Sequence, residues 1–259
     1  MKYKVFLDTS TLIASSIFLT SKTIGEEIKD VFYEEAIELI SIIRKNINKR
    51  IGITTSAVEE EVYQVLSSAI ERKLNQKIPD KGRAFALLSV AVNACETRLR
   101  EILTFVVRDP VNAKESAKWH MQVCAMYDDL RNAALKLPEP AYMQAKAAPK
   151  FLNKAEMFEI YQKQDECLNA QLTNLVYNPV EDSDKILLSQ AIYLCKLYKE
   201  TETGGNIAMY LSSTDHHFVP VRRSYYVSKQ VTHEIEKRFD VMAERPHEIF
   251  TVLRKAYGK

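Results

Sequence analysis

Acidic residues at four places in the chain stand where a carboxylate could act on a ligand. Asp8 closes the apolar run Tyr3-Lys-Val-Phe-Leu7, and Asp215 follows a second such run, Ile207-Ala-Met-Tyr-Leu211. In an open parallel sheet, ligands bind beyond the carboxyl ends of the strands. A turn or helix-cap aspartate is the other role open to each. Glu59, Glu60 and Glu61 lie in the first turns of a helix whose spacing buries Val58, Val62, Val65, Leu66 and Ala69. At 100° per residue Glu60 points away from that face, while Glu59 and Glu61 flank it on opposite sides and periodicity does not choose between them. Asp184 heads the stripe Leu187, Leu188, Ala191, Leu194, Cys195 and Tyr198, whereas Asp182 projects away from it. Carboxylates gathered at one sheet edge repel one another unless protons or a cation intervene. Magnesium or manganese, with their preference for hard oxygen ligands, is the usual cation.

The elements that must position these acids follow from the pattern. Residues 3–7 read as a buried strand, and residues 28–47 hold the clearest part of a following helical region. Ile51-Gly-Ile-Thr-Thr55 reads as a strand. Ser56 then reads as a helix N-cap with Glu59 at capping-box spacing, and that helix runs to Lys77. After the breaker Pro79-Asp-Lys-Gly82, residues 82–108, 113–136 and 151–176 read as helices, with a Pro-rich loop from Leu137 to Pro149. A helix over 184–198, a strand over 207–211, a short strand near 225–227, a helix over 229–238 and a last helix opened by Pro246 complete the chain. Strand–helix alternation sits at the two ends, so residues 1–77 and 178–259 read as two parts of one core, with 78–177 a helical insertion between them.

The acids and their contexts, taken in order, resemble the PIN-domain nucleases. An apolar strand ending in D-x-S/T is matched by Phe6-Leu-Asp8-Thr-Ser10. A helix start with V-x-x-E is matched by Thr55-Ser-Ala-Val58-Glu-Glu-Glu61. Asp184 with Ala191, and Ser213-Thr-Asp215-His-His-Phe218, match the third and fourth acidic motifs, and Phe239-Asp-Val with Pro246-His-Glu-Ile249 matches the family's ending. Small members of the family have a much shorter connection than the roughly 120 residues between Glu61 and Asp184 here. The resemblance implies an α/β, PIN-like three-layer fold with a short, mostly parallel central sheet, here carrying a large all-helical insertion. It implies a Mg2+- or Mn2+-dependent endoribonuclease with Asp8, Glu61, Asp184 and Asp215 as the catalytic, metal-holding acids. Asp8 and Asp215 would ligate directly, Asp184 and Glu61 directly or through water, with Glu59 held in reserve for Glu61. Ser10 and Ser213 would hold carboxylates or water by hydrogen bonds.

Partners follow from the remaining side chains. Arg222, Arg223 and Lys229, just after the fourth acid, could track an RNA backbone or form a solvated face. Between Glu71 and Lys118 there are ten basic and six acidic side chains, and Lys73, Lys77, Arg98 and Arg100 are expected to lengthen the RNA contact. Trp119, Tyr127 and Tyr142 could stack on bases, although helical aromatics are more often core. The apolar faces of the insertion could bury a second copy of the chain or a protein partner. The pair His216-His217 reads as structural or surface, because adjacent side chains diverge, with phosphate contact as the alternative. His120, His233 and His247 are isolated.

The 259 residues, 46% hydrophobic with net charge +2, exclude a disordered chain, a rod and a strongly basic field. With a mean hydropathy of −0.23 and no long apolar run, no membrane span is expected. Residues 1–20 look superficially like a leader, but Asp8 interrupts the apolar stretch, so the segment is expected to be folded. Cys95, Cys124, Cys167 and Cys195 lack metal-ligand spacing and fit small hydrophobes in a reducing, cytoplasmic setting. Two other functions would use the same residues: a PIN-like scaffold that binds RNA or protein without turnover, and a toxin held by an antitoxin peptide.

Overall fold

Lys2–Leu7 forms β1, and Val5, Phe6 and Leu7 are wholly buried. Consecutive strand residues point to opposite faces, so burial of all three requires cover on both faces of the sheet. A computed structural model describes residues 1–21, 31–135, 180–202, 206–215, 217–219 and 229–258. After β1 come α1 (Thr9–Ser21), α2 (Val31–Lys45), a 3-10 turn (Ile47–Lys49), β2 (Gly52–Thr54), α3 (Ser56–Lys77), α4 (Lys81–Leu103), β3 (Val107–Arg108) and α5 (Ala113–Leu135). The chain continues with α6 (Asp182–Thr201), β4 (Ile207–Ser212), α7 (Lys229–Phe239), β5 (Met242–Glu244) and α8 (Pro246–Tyr257).

Among the described residues five strands lie in the order β3-β2-β1-β4-β5, and each of their pairings is parallel. The protein is therefore α/β with an all-parallel sheet. β1 is central. Val5 is level with Gly52 of β2, and Leu7 is level with Ser212 of β4. Strands numbered upward from β1 run to one side, and β4 and β5 occupy the other, so the order reverses between β1 and β4. Connections leave these two strands in opposite directions and open a crevice beyond their carboxyl ends. Asp8 and Ser213 are the first residues past those ends.

Two groups of helices supply the cover. α1 packs on α2, α3 and α4, and α8 packs on α2; separately, α5 packs on α6. The side chains of α1 are apolar or hydroxyl-bearing with no charge among them, which suits an enclosed helix: Thr11 through Ile17 are all buried. The hydroxyls of Ser15 and Ser16 donate to the carbonyls of Thr11 and Ile13 at 2.8 and 2.9 Å, which satisfies them inside the core. On α3 the buried stripe is Val58, Val62, Leu66, Ile70 and Leu74. Val65, expected in that stripe, is 36% exposed and faces a cleft instead.

Several boundaries differ from the sequence pattern. Thr55, not Ser56, caps α3, and its Oγ1 accepts from the Val58 amide. Glu59 is thus one residue too late for a capping box. The helix expected over 82–108 stops at Leu103, and Val107–Arg108 becomes the outer strand beside β2. Residues 81–135 accordingly contribute a strand to the sheet and helices to its cover. β5 was likewise not legible; a two- or three-residue strand is too short to show a period of two. Glu181 precedes α6, so Asp184 lies within its first turn. The expected loop 137–149, helix 151–176 and strand near 225–227 lie outside the described residues, as do Tyr142 and Cys167. Cys95 and Cys195 are buried free thiols.

Gly52 has no room for a side chain, since a Cβ there would meet Ile43 Cγ2 at 2.8 Å. Between α2 and the start of α8, Arg245 pairs with the Glu35 carboxylate through Nη2, with the side chains only 11% and 8% exposed. Removing one partner of a buried pair strands the other charge, whereas replacing both can be neutral. Arg245→Met should cost about 3–5 kcal/mol in urea unfolding. Adding Glu35→Leu should restore stability to near the wild-type level; a double variant no more stable than the single one would show that the pair is not what couples these helices.

Candidate metal centre

The crevice past β1 and β4 opens into a cleft of about 580 Å³ whose lining includes Asp8, Glu61, Asp184 and Asp215. Four separate segments supply them: the turn after β1, the second turn of α3, the first turn of α6, and the turn after β4.

Asp8 is 2% exposed. It caps α1, with Oδ1 accepting from the Thr11 amide at 2.8 Å, and it also faces the cleft, so the two roles open to it in the sequence coincide. Ser10 Oγ lies 3.0 Å from both carboxylate oxygens. The Thr214 amide donates to the same Oγ at 2.8 Å. Ser213 bonds to Asp8, and its Oγ accepts from the Asp215 amide at 2.9 Å. Ser10 and Ser213 thereby lace the turn after β1 to the turn after β4. Burial nevertheless dominates and pushes the Asp8 carboxyl from 3.8 up to about 7, with the Asp215 charge adding to the rise and the bonds from Ser213, Thr11 and Ser10 opposing it.

The alternative left open on α3 is decided by neighbours from elsewhere in the chain. Glu59 is taken by Arg108 of β3, at 2.7 Å from Nη2 to Oε2. Glu61 lines the cleft and accepts a hydrogen bond from Thr9 Oγ1. Partial burial raises the Glu61 carboxyl, the Thr9 bond opposes this, and the charges of Asp184, Glu181 and Asp215 raise it further. Glu61, and not Glu59, is therefore the α3 carboxylate that joins the other acids. Thr55 Oγ1, at 2.5 Å from Gln190 Oε1, ties the start of α3 to α6. That bond fixes the relative position of the helices that carry Glu61 and Asp184.

His217 is the member that the sequence pattern missed. Its Nδ1 lies 2.8 Å from Asp184 Oδ2 and 3.3 Å from Asp215 Oδ1, and its amide donates to Asp215 Oδ1 at 2.8 Å. Donor atoms of Asp184, Asp215 and His217 fall within 4.8 Å of one another. Burial pulls the imidazole pKa down, but the Asp184 hydrogen bond and the Asp215 and Asp184 charges prevail and raise it. The available signal was the D-x-H spacing after an apolar strand, which in a tight turn returns the second residue's side chain toward the first. Tyr127, on α5, is core and not a stacking platform. Its hydroxyl donates to the His217 carbonyl at 3.1 Å, and burial beside Asp184 and Asp215 raises its pKa, keeping the phenol neutral.

Other expected contacts fall elsewhere. His216, Arg222 and Arg223 lie outside the described residues, and Lys229 is the first residue of α7. Arg98 pairs with Glu101 and Arg100 with Glu96 on the exposed side of α4. Lys73 lines the cleft together with Arg72.

The donor set fits a hard divalent cation: clustered carboxylates, one of them so desolvated that it is protonated near neutrality without a compensating charge. No family model, no curated protein and no solved structure matches the chain. Among the described residues no helix is long and apolar enough to cross a membrane.

The Asp8 shift has a consequence for stability. Its carboxyl loses the proton near 3.8 in the unfolded chain and near 7 in the fold. Between these values the folded state binds more protons, so this group makes stability fall as pH rises through the window and leaves it level above. Asp8→Asn cannot ionise. In EDTA the variant should gain on the wild type from about pH 4 to 7, by on the order of 4 kcal/mol. Parallel stability profiles of the two proteins would contradict this account of Asp8.

Proposed function

We propose that the chain is a PIN-like, Mg2+- or Mn2+-dependent nuclease that hydrolyses RNA phosphodiester bonds. The observation that carries the reading is the convergence of Asp8, Glu61, Asp184 and Asp215, from four segments, on one cleft at the point where the strand order reverses. Their order and strand or helix contexts are those in which the sequence resembles PIN nucleases. Like charges gathered this closely repel one another, and a scaffold gains nothing from that arrangement.

Asp8, Asp184 and Asp215 would hold the cation, with Glu61 reaching it directly or through water. When bound, such an ion neutralises the scissile phosphate and lowers the pKa of a water that attacks it. The chain's own residues prepare that chemistry. Ser10 and Ser213 hold the Asp8 carboxylate against rotation and couple it to Asp215. Thr9 orients Glu61. These bonds fix the donors before a ligand arrives, which limits reorganisation during reaction.

The rest of the cleft favours a polymer over a single phosphate. It runs along α3 from Glu61 past Val65, Ser68 and Ala69 to Arg72 and Lys73, against Ile13, Ala14 and Ile17 of α1. The twelve helical steps from Glu61 to Lys73 rise about 18 Å. Anions are repelled at the acidic end unless a cation is present and attracted at the basic end, so a backbone laid along the cleft has a preferred register.

Two experiments test the reading. Single-stranded RNA should be cut with Mg2+ or Mn2+ and not in EDTA, and Asp8→Asn or Asp215→Asn should lower the rate by more than the roughly 10–100-fold typical of a supporting residue. Metal-dependent RNA binding without cleavage would assign the chain to the scaffold class instead. Separately, replacing Arg72 and Lys73 by Gln should flatten the dependence of log K on log salt by about 0.7 per lost single-strand phosphate contact, with cleavage at saturating RNA little changed. An unchanged slope would place the backbone outside this cleft.

A further inference from the structure

A site made only of carboxylates recognises divalent ions by charge and size, and Mg2+ is at home in it. A nitrogen donor changes the selectivity, because Mg2+ is reluctant to give up oxygen ligands whereas the first-row transition ions accept imidazole. Three features of His217 bear on this. Its Nδ1 is directed between Asp184 and Asp215, at 2.8 and 3.3 Å. The residue is only 8% exposed, so the ring is a buried neighbour of the two carboxylates and not a solvated one. Its backbone is anchored at two points: the amide on Asp215 Oδ1 at 2.8 Å, and the carbonyl under the Tyr127 hydroxyl at 3.1 Å. The following residues, Phe218 and Val219, are 1% and 0% exposed, so the core also holds the backbone that carries the ring.

We propose that His217 is an imidazole ligand of the metal centre, which makes the site a mixed nitrogen–oxygen one that prefers Mn2+ to Mg2+. This rests on the reading of the four acids as a metal site. His217 contributes a neutral donor where a fifth carboxylate would add to the mutual repulsion of the four acids. Tyr127 is then a positioning residue, holding the turn that presents the ring. It stands on α5, which gives the segment between Glu61 and Asp184 a part in building the site.

Mn2+ is itself the probe. Pulsed electron paramagnetic resonance of the full chain loaded with Mn2+ should show the modulation of a directly coordinated imidazole nitrogen. His217→Gln should abolish it, and His216→Gln should leave it intact. Calorimetric titration should show Mn2+ binding weakened roughly 10–100-fold by His217→Gln, with Mg2+ binding changed much less. Bound Mn2+ without nitrogen coupling in the wild-type protein would overturn the proposal and leave His217 as a brace for the two carboxylates. That measurement needs no variant to fold. Failure of the underlying reading looks different: Mn2+ affinity undiminished in Asp184→Asn and Asp215→Asn would mean that the ion binds elsewhere.

Discussion

A carboxylate at the end of a strand whose last four residues are buried is the constraint around which this protein is built. Asp8 sits directly after Leu7 with almost no contact with solvent, and an unpaired charge there would be strongly disfavoured. The fold answers with short-range dipoles: the Thr11 amide, the Ser10 hydroxyl and the Ser213 hydroxyl all point at it. These do not suffice, as the upward shift of the Asp8 pKa records. What remains is an electrostatic demand for positive charge at that spot. No basic side chain lines this end of the cleft among the described residues; the basic residues of the lining, Arg72 and Lys73, are at its far end. Bringing Glu61, Asp184 and Asp215 to the same place increases the demand.

Sheet topology explains why these groups meet. With β1 central and β4 beside it, Leu7 is level with Ser212, so the turn after each strand begins at the same height. Ser10 reaches across to Thr214, and Thr11 Oγ1 donates to the Ser212 carbonyl at 2.9 Å. Reversal of strand order at this pair leaves the space above it free of crossing connections. The helices then close in from two directions, α3 with Glu61 and α6 with Asp184, and the Thr55–Gln190 bond locks them together. Such a cluster weakens the fold through like-charge repulsion while leaving its donors already in place. The core that tolerates it is broad, extending from α1 through α4 and across to α5 and α6.

Residues 81–135 take part in this architecture more closely than their sequence suggests. β3 extends the sheet and delivers Arg108 to Glu59, while α5 delivers Tyr127 to the turn that holds His217. Tyr198 of α6 donates to Asp109 just past β3, a further link between this segment and the core. The segment thereby sets which carboxylates face the cleft, apart from any contact it makes with a ligand.

Local pattern alone carried much of this. Apolar runs ending in Asp8 and Asp215, the helical stripes above which Glu61 and Asp184 stand, and the Pro246 helix start are all legible, because side-chain periodicity and terminator residues report burial within a single element. The same logic rejected Glu60 and Asp182, both of which are exposed. It could not choose between Glu59 and Glu61, because the choice lies in partners far away in sequence: Arg108 takes one and Thr9 the other. It missed β3 and β5, whose strand character comes from pairing with a neighbour and not from their own residues. It gave His217 a structural or surface role, because nothing local shows that its amide folds back onto Asp215 and turns the ring toward the acids. Which groups could carry charge was written in single elements; which of them meet was decided by strand order and by contacts between segments far apart in the chain.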